Sequence, residues 1–146
     1  MSEPIYTAFL EGDLLLTARG EWVHRGVPFA NDRLSDLFHR SIVWEEEPRR
    51  YVIRIGKQQA TFRMEDCAYF VTALHDEKDP WEISLRDGTS ETLRADTLRY
   101  GEADKLYIKV KGEHAALFLS SAYQQIVRYA EDECRLRING SLVTLR

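Results

Sequence analysis

Short segments of alternating apolar and polar residues, separated by glycine-bearing turns, fill the middle of this chain and limit it to a β-rich fold. Residues 51–55 alternate in this way, the turn Gly56-Lys57 follows, and residues 60–64 alternate again. A two-residue period turns one apolar face toward a core and one polar face toward water, so this pattern predicts a hairpin. Similar patterns predict further strands over residues 70–74, 81–85, 107–111 and 115–119.

Two segments depart from this pattern and have the apolar spacing of an amphipathic helix. The first follows Asn31-Asp32, which predicts an N-cap, and extends to about Glu47, before Pro48. The second follows Ser120-Ser121, which we expect to cap the helix through a hydroxyl group. The apolar stripes consist of Leu34, Leu37, Phe38 and Ile42 in the first helix and Tyr123, Ile126, Val127 and Ala130 in the second. Helices and strands in separate segments predict an α+β fold.

The two ends of the chain repeat one order of elements: strand, glycine, capped helix, strand, turn and strand. Residues 53–55 correspond to residues 136–138, which lead into Asn139-Gly140, a strong hairpin signal. We therefore predict an internal duplication with two similar units, residues 1–64 and 65–146, each an antiparallel sheet with one helix. The alternative is that any two segments built from a strand, a helix and a hairpin look alike.

The composition is that of an ordinary globular protein, and it excludes several functional classes. A net charge of -4 gives no general attraction to nucleic acid or to an anionic membrane. No apolar run approaches the roughly 20 residues that a membrane-spanning helix needs. The N-terminal residues lack the basic and apolar regions of a secretory signal, so we expect a cytoplasmic protein without a membrane partner.

The candidate metal ligands are too scattered along the sequence to predict a bound ion. The histidines have no spacing that would place two imidazoles on one metal, and Cys67 and Cys134 cannot supply a four-ligand zinc site. The sequence also lacks the motifs of a nucleophile elbow, a dinucleotide-binding loop and a P-loop. We therefore expect neither a metal nor a cofactor.

One short motif near the N-terminus favours ligand binding. Arg19 and Trp22 flank Gly20 in a predicted turn, and Gly26 follows shortly after. An arginine beside an exposed tryptophan offers a charge and a stacking surface to an anionic or planar ligand. The alternative is a packed tryptophan covered by the aliphatic part of the arginine.

Several segments, taken in their order along the chain, resemble a known family. They are Arg19-Gly20-Glu21-Trp22, Gly26-Val27-Pro28, Leu34 with Leu37-Phe38, Glu65-Asp66-Cys67-Ala68-Tyr69-Phe70-Val71, Leu98-Arg99 and residues 107–127. Through them the chain resembles the uncharacterised bacterial DUF1285 family (domain of unknown function 1285). The resemblance implies two small α+β units formed by duplication, with the C-terminal unit similar to a pleckstrin-homology-like fold. It further implies a ligand site between the units and a link to bacterial signal transduction, and it brings no enzymatic activity.

The chain departs from the pattern of this family at two positions. An arginine is expected ahead of each helix, where this sequence has Asn31 and Ser120. If those arginines contact a ligand in the family, the ligand of this chain differs from theirs.

These observations favour a non-catalytic module that binds a small ligand or a protein partner. The predicted binding site lies between the two units, because the seam between duplicated units is concave. It includes Arg19 and Trp22 from the first half of the chain, with Arg99 and Tyr107 from the second half.

Two other functional classes stay open at the level of the sequence. A hydrolase or transferase could use the same cleft, with catalytic groups drawn from Glu65, Asp66, His24 and His114. A nucleic-acid-binding protein would need five arginines to share one face, namely Arg19, Arg25, Arg54, Arg135 and Arg137.

Overall fold

A computed structural model describes residues 4–145 and divides the chain into two compact units. Unit 1 ends at Ala68 and unit 2 begins at Tyr69, whereas the predicted boundary lay after residue 64. Helices and strands occupy separate segments in both units, which confirms the α+β class. Within residues 4–145, no helix has both the length and the apolar character needed to cross a membrane.

Unit 1 combines two helices with two small sheets. Its elements are α1 (Tyr6–Phe9), β1 (Leu14–Leu16), β2 (Trp22–His24), β3 (Val27–Pro28), α2 (Asp32–Arg40), β4 (Ile42–Glu45), β5 (Arg50–Ile55), β6 (Gln58–Thr61) and β7 (Arg63–Met64). Strands β1, β2 and β3 form an antiparallel meander, and β7 joins β1 in parallel. Strands β4, β5 and β6 form a second, antiparallel sheet that contains the predicted hairpin.

Helix α2 begins where the sequence predicts but ends earlier. Asn31 Oδ1 accepts a hydrogen bond from the backbone N–H of Leu34 at 3.1 Å, which confirms the predicted N-cap. The predicted extension to about Glu47 is wrong, because α2 ends at Arg40 and residues 42–45 form β4. The β-branched and aromatic residues of β4 pair with β5, and this pairing outweighs the helical spacing of the apolar stripe.

Aromatic rings form the centre of the unit 1 core. The ring centroid of Trp22 lies 5.7 Å from that of Phe38 and 5.1 Å from that of Phe62, both edge to face. Phe29 completes the cluster at 5.1 Å from Phe38. Edge-to-face pairs are favourable beyond the area that they bury, and removing such a buried ring typically costs about 3–5 kcal/mol. Trp22 is therefore a central packing residue of unit 1.

Unit 2 is built on a six-stranded sheet with one helix and a separate hairpin. Its elements are β8 (Tyr69–His75), β9 (Glu82–Leu85), β10 (Ser90–Thr92), β11 (Arg99–Tyr100), β12 (Leu106–Val110), β13 (His114–Phe118), α3 (Ser120–Val127), β14 (Arg135–Ile138) and β15 (Ser141–Thr144), with short 3-10 turns at Ala95–Thr97 and Glu102–Asp104. The strand order is β10-β9-β8-β13-β12-β11, and the β8–β13 pair is parallel while the other pairs are antiparallel. Strands β14 and β15 pair with each other.

The tight turns of unit 2 lie where the sequence predicts them. Asp87-Gly88 connects β9 to β10, and Asn139-Gly140 connects β14 to β15. The φ angles of Asn139 and Gly140 are 52° and 85°. Two consecutive left-handed residues are typical of the two-residue turn whose twist matches that of a hairpin.

The predicted capping of α3 by Ser120-Ser121 is wrong. The helix begins at Ser120, its N-cap is Leu119, and no side chain accepts a hydrogen bond there. Leu119 still donates its backbone N–H to the carbonyl of Val71 at 3.0 Å, because the chain follows β8 to this point. Both serines therefore lie inside the first turn, past the position from which a hydroxyl caps a helix.

The two units share one local arrangement but differ in sheet connectivity. In each unit a helix is followed by a residue that pairs with the first strand of a hairpin, Ile42 with Ile53 in unit 1 and Ala130 with Leu136 in unit 2. The strand before the helix lies at the edge of its sheet in unit 1 and inside it in unit 2. The duplication and the pleckstrin-homology-like character stay predictions.

Helix α3 is attached to β8 where the pairing of β8 with β13 ends. Phe118 lies beside Val71 in the last pair, and the chain then leaves the sheet. Further along β8, Gln125 Oε1 accepts a hydrogen bond from the backbone N–H of Leu74 at 2.9 Å, and Gln125 Nε2 donates to the carbonyl of Leu74 at 3.2 Å. Leu74 is 3% exposed, so one side-chain amide replaces the missing strand at a buried position.

Replacing Gln125 with leucine should lower the free energy of unfolding by about 2–6 kcal/mol. The substitution keeps a side chain of similar size on α3 but leaves the buried N–H and C=O of Leu74 unpaired, at roughly 1–3 kcal/mol each. Urea unfolding followed by circular dichroism measures the loss. The control is Gln124→Leu, at the neighbouring exposed position, which should change stability by less than about 0.5 kcal/mol. Equal losses in the two variants would contradict this role of Gln125.

Candidate functional site

Unit 2 contains a pocket of about 440 Å³ between the end of α3, the β14–β15 hairpin and the residue that precedes β9. This volume falls within the range of small-ligand sites. Lining residues include Trp81, Arg128, Tyr129, Glu131, Arg137 and Gly140. Trp81 is buried, whereas Arg128, Glu131, Arg137 and Gly140 are exposed, so an apolar interior is surrounded by an open polar rim.

Two aromatic rings form the apolar wall of this pocket. The ring centroids of Trp81 and Tyr129 lie 4.6 Å apart, with the ring planes inclined at 55°. The hydroxyl of Tyr129 donates a hydrogen bond to the carboxylate of Asp76. The backbone carbonyl of Tyr129 accepts a hydrogen bond from the backbone N–H of Arg137 at 2.9 Å. The Tyr129 ring is thus held by a strand of the hairpin, by the loop after β8 and by Trp81. Such anchoring reduces the entropy that a stacking surface would lose on binding.

The charges at the rim are only partly compensated. Arg137 Nε donates to Glu131 Oε1 at 2.6 Å, and this ion pair neutralises both groups. Arg128 is the C-cap residue of α3, and its guanidinium group makes no hydrogen bond or ion pair with any other residue between 4 and 145. The lining residues therefore carry one uncompensated positive charge, which can attract an anionic group.

The hydrogen bond to Asp76 also fixes the protonation state of Tyr129. A phenolate beside the Asp76 carboxylate would be disfavoured, so this hydrogen bond, together with burial, raises the pKa of Tyr129. Tyr129 thus stays a neutral donor to Asp76 at ordinary pH. Since Arg137 and Glu131 are also paired, this arrangement is better suited to holding a ligand than to moving protons.

The structure places Arg19 and Trp22 in unit 1, at the turn between β1 and β2. Arg19 is exposed, and its backbone N–H donates to the hydroxyl of Thr17 at 3.3 Å. Trp22 is 1% exposed, which agrees with the packed alternative and not with an exposed stacking surface. Its ring contacts the aromatic core, including His39 at a centroid distance of 5.5 Å. Its indole N–H has no hydrogen-bond partner within the described residues.

Arg99 and Tyr107 lie together in unit 2. They are paired across β11 and β12, and the guanidinium carbon of Arg99 lies 4.6 Å from the centroid of the Tyr107 ring. Gly101 packs against this ring so closely that a Cβ there would come within 2.5 Å of it. Tyr107 is 8% exposed, so its ring offers little surface to a ligand. A single site formed by this pair with Arg19 and Trp22 stays a prediction.

Two of the four residues considered for the enzymatic alternative, His24 and Glu65, are engaged in structural hydrogen bonds. In unit 1, His24 Nε2 bonds to the backbone carbonyl of Glu11 at 2.6 Å, and Glu65 Oε1 accepts from the backbone N–H of Ala18 at 2.9 Å. His114 belongs to β13 of unit 2. Among residues 4–145, no three His, Cys, Asp or Glu side chains lie close enough together to hold a metal ion.

Three of the five arginines considered for nucleic-acid binding are neutralised by carboxylates. Arg54 pairs with Glu45 at 3.1 Å. Arg135 pairs with Asp132, and the pKa of that carboxyl falls to about 2 mainly because of this hydrogen bond. Arg137 pairs with Glu131, as in the pocket rim. These pairs leave few free charges for a phosphate backbone.

Sequence reasoning did not find the pocket in unit 2. The sequence pattern predicts a strand that includes Trp81, and it places Arg128 and Tyr129 just before Ala130, the last residue of the apolar stripe, where a basic residue is normal for a helix end. The only local signal was an aromatic residue beside an arginine, Arg128-Tyr129, which is common on surfaces. The pocket depends on long-range packing that brings together residues 81, 129 and 137.

Solved structures from two bacteria share this fold. A DUF1285 family protein from Silicibacter pomeroyi DSS-3 has a TM-score of 0.67 and 18% sequence identity, and the match covers 91% of this chain and 79% of that chain. A DUF1285 family protein from Shewanella baltica OS155 has a TM-score of 0.61 and 14% identity, covering 79% of this chain and 90% of that chain. No protein-family profile and no curated protein match the sequence. The predicted resemblance is confirmed at the level of the fold.

Replacing Asp76 with asparagine should lower the pKa of Tyr129 toward its ordinary value near 10, because the neutral amide no longer disfavours the phenolate. A pH titration of the tyrosine Cζ signals by NMR measures this change. Tyr100, whose pKa is raised first by burial, is an internal control and should keep its raised value. A pKa of Tyr129 that does not move would contradict the hydrogen bond.

Proposed function

We propose that this chain is a non-catalytic module that binds a small ligand in the pocket of unit 2. The observation that carries this proposal is Arg128, a cation without an ion-pair partner among residues 4–145, at the rim of a pocket whose wall is the Trp81–Tyr129 ring pair. An apolar wall with a few polar groups that fix orientation is the usual composition of a small-ligand site.

The anchoring of the pocket walls supports this function. The short turn after α3 is bonded to the hairpin, because Glu131 N–H donates to the carbonyl of Arg135 at 2.9 Å. The loop after β8 is bonded to the hairpin turn, where Asn139 Nδ2 donates to Asp79 at 3.2 Å. A pocket that exists before the ligand arrives avoids the cost of ordering its walls on binding.

We further propose that the module acts in bacterial signalling, in the cytoplasm, where ligand occupancy would be read by a partner protein. Cys134 is exposed and forms no disulfide with another residue in the range 4–145. An exposed thiol without a disulfide partner suits a reducing compartment.

A thermal-shift screen with a library of small carboxylates, phosphates, amides and amines tests the proposal. A compound that binds only the folded state raises the melting temperature by mass action. Compounds that stabilise the native chain should lose most of this effect in the Arg128→Gln variant, because the substitution removes the unpaired charge while keeping a side chain of similar length.

Arg40→Gln is the matched control for this variant. Arg40 is also an exposed arginine at the C-terminal end of a helix, and its guanidinium group makes no hydrogen bond or ion pair within residues 4–145. Both substitutions remove a favourable charge from a helix C-terminus, so their effects on the unliganded melting temperature should be similar. Compounds that stabilise Arg128→Gln as strongly as Arg40→Gln would contradict a site at the unit 2 pocket.

A further inference from the structure

We propose that the ligand of the unit 2 pocket is a planar organic monoanion, an aromatic ring system that carries one carboxylate. This inference rests on the proposed function and specifies the chemistry of its ligand. It follows from the number of uncompensated charges at the rim and from the nature of the wall behind them.

The charge of the ligand follows from the lining residues. Arg128 and Arg137 are positive and Glu131 is negative, and the 2.6 Å bond between Arg137 and Glu131 leaves Arg128 as the uncompensated group. The carboxylate of Asp76 keeps its negative charge, because its partner Tyr129 is a neutral donor, but Asp76 does not line the pocket. A single negative charge would balance the rim, whereas a second one would be placed beside the Glu131 carboxylate and repelled.

A carboxylate suits Arg128 better than other single negative charges. The guanidinium group presents parallel N–H donors in a plane, and a carboxylate accepts two of them at once. No hydrogen bond or ion pair with another residue in the range 4–145 engages these donors in the unliganded chain. The ligand therefore does not have to displace a protein partner before it binds.

The planarity of the ligand follows from the aromatic wall. The rings of Trp81 and Tyr129 are inclined at 55°, and Tyr129 is partly exposed while Trp81 is 8% exposed. A flat ring can pack on the accessible part of Tyr129 and reach the edge of Trp81, an arrangement that aromatic pairs favour. The carboxylate can then point outward to Arg128, since Arg128 and Tyr129 are adjacent in the chain.

Isothermal titration with three matched probes tests this inference. Naphthalene-2-carboxylate is planar and anionic, naphthalene-2-carboxamide is planar and neutral, and cyclohexanecarboxylate is anionic without an aromatic ring. The native chain should bind the naphthalene carboxylate at least tenfold more tightly than either of the other probes. Arg128→Gln should weaken the carboxylate at least tenfold and leave the carboxamide unchanged, and Arg40→Gln should change neither.

The outcomes separate this inference from the proposed function. Equal affinity for the naphthalene carboxylate and the carboxamide would overturn the charge of the ligand, and equal affinity for cyclohexanecarboxylate would overturn its planarity. If no probe binds, but a compound from the thermal-shift screen stabilises the native chain and not Arg128→Gln, the proposed ligand class is wrong and the proposed binding site is retained. If naphthalene-2-carboxylate binds equally tightly to the native chain and to Arg128→Gln, the assignment of this ligand to the unit 2 pocket is overturned.

Discussion

The double hydrogen bond between Gln125 and the backbone of Leu74 is the interaction on which the architecture of unit 2 most depends. Strand β13 accompanies β8 for only part of its length, and the remaining edge of β8 would otherwise present buried, unpaired backbone groups. The amide of Gln125 pairs with both groups at 2.9 and 3.2 Å. These two hydrogen bonds fix the position of helix α3 along the sheet, and therefore also the position at which the chain leaves α3.

The pocket is a direct consequence of where α3 ends. Arg128 caps the helix and Tyr129 follows it, so both reach the β14–β15 hairpin and the residue before β9. The Tyr129 ring packs on Trp81, and its hydroxyl binds Asp76. Two other arginines of this region are neutralised by ion pairs, Arg137 with Glu131 and Arg135 with Asp132. Arg128 is left without such a partner within residues 4–145, which distinguishes it from a structural ion pair.

The features that could be predicted from the sequence are those that depend on neighbouring residues. The Asn31 cap needs a side-chain oxygen three residues before an amide, and the Asn139-Gly140 turn needs two residues that tolerate positive φ. The hairpin around Gly56 is similarly local. For this reason the α+β class and most strands could be predicted from the sequence pattern alone.

The features that could not be predicted depend on residues far apart in the chain. The β1–β7 and β8–β13 pairs are parallel, and no local pattern distinguishes a parallel partner. Helix α2 ends at Arg40 because β4 pairs with β5. The position of Ile42 fits the helical apolar spacing and therefore does not indicate this pairing. The burial of Trp22 also depends on distant residues, since the aromatic rings around it come from the residue after β3, from α2 and from the residue after β6. The pocket of unit 2 is the extreme case, because residues 81 and 129 meet only in the fold.

The most direct test of a ligand site in unit 2 is a titration of ¹⁵N-labelled chain with naphthalene-2-carboxylate, followed through the three tryptophan indole signals. Each indole reports on a different environment: Trp22 lies in the core of unit 1, Trp44 donates to Glu46, and Trp81 forms the pocket wall. A ligand site in unit 2 predicts that the Trp81 indole signal and the Gly140 amide signal shift with ligand concentration, while the indole signals of Trp22 and Trp44 do not. A shift of Trp22 or Trp44 with Trp81 unchanged would contradict it.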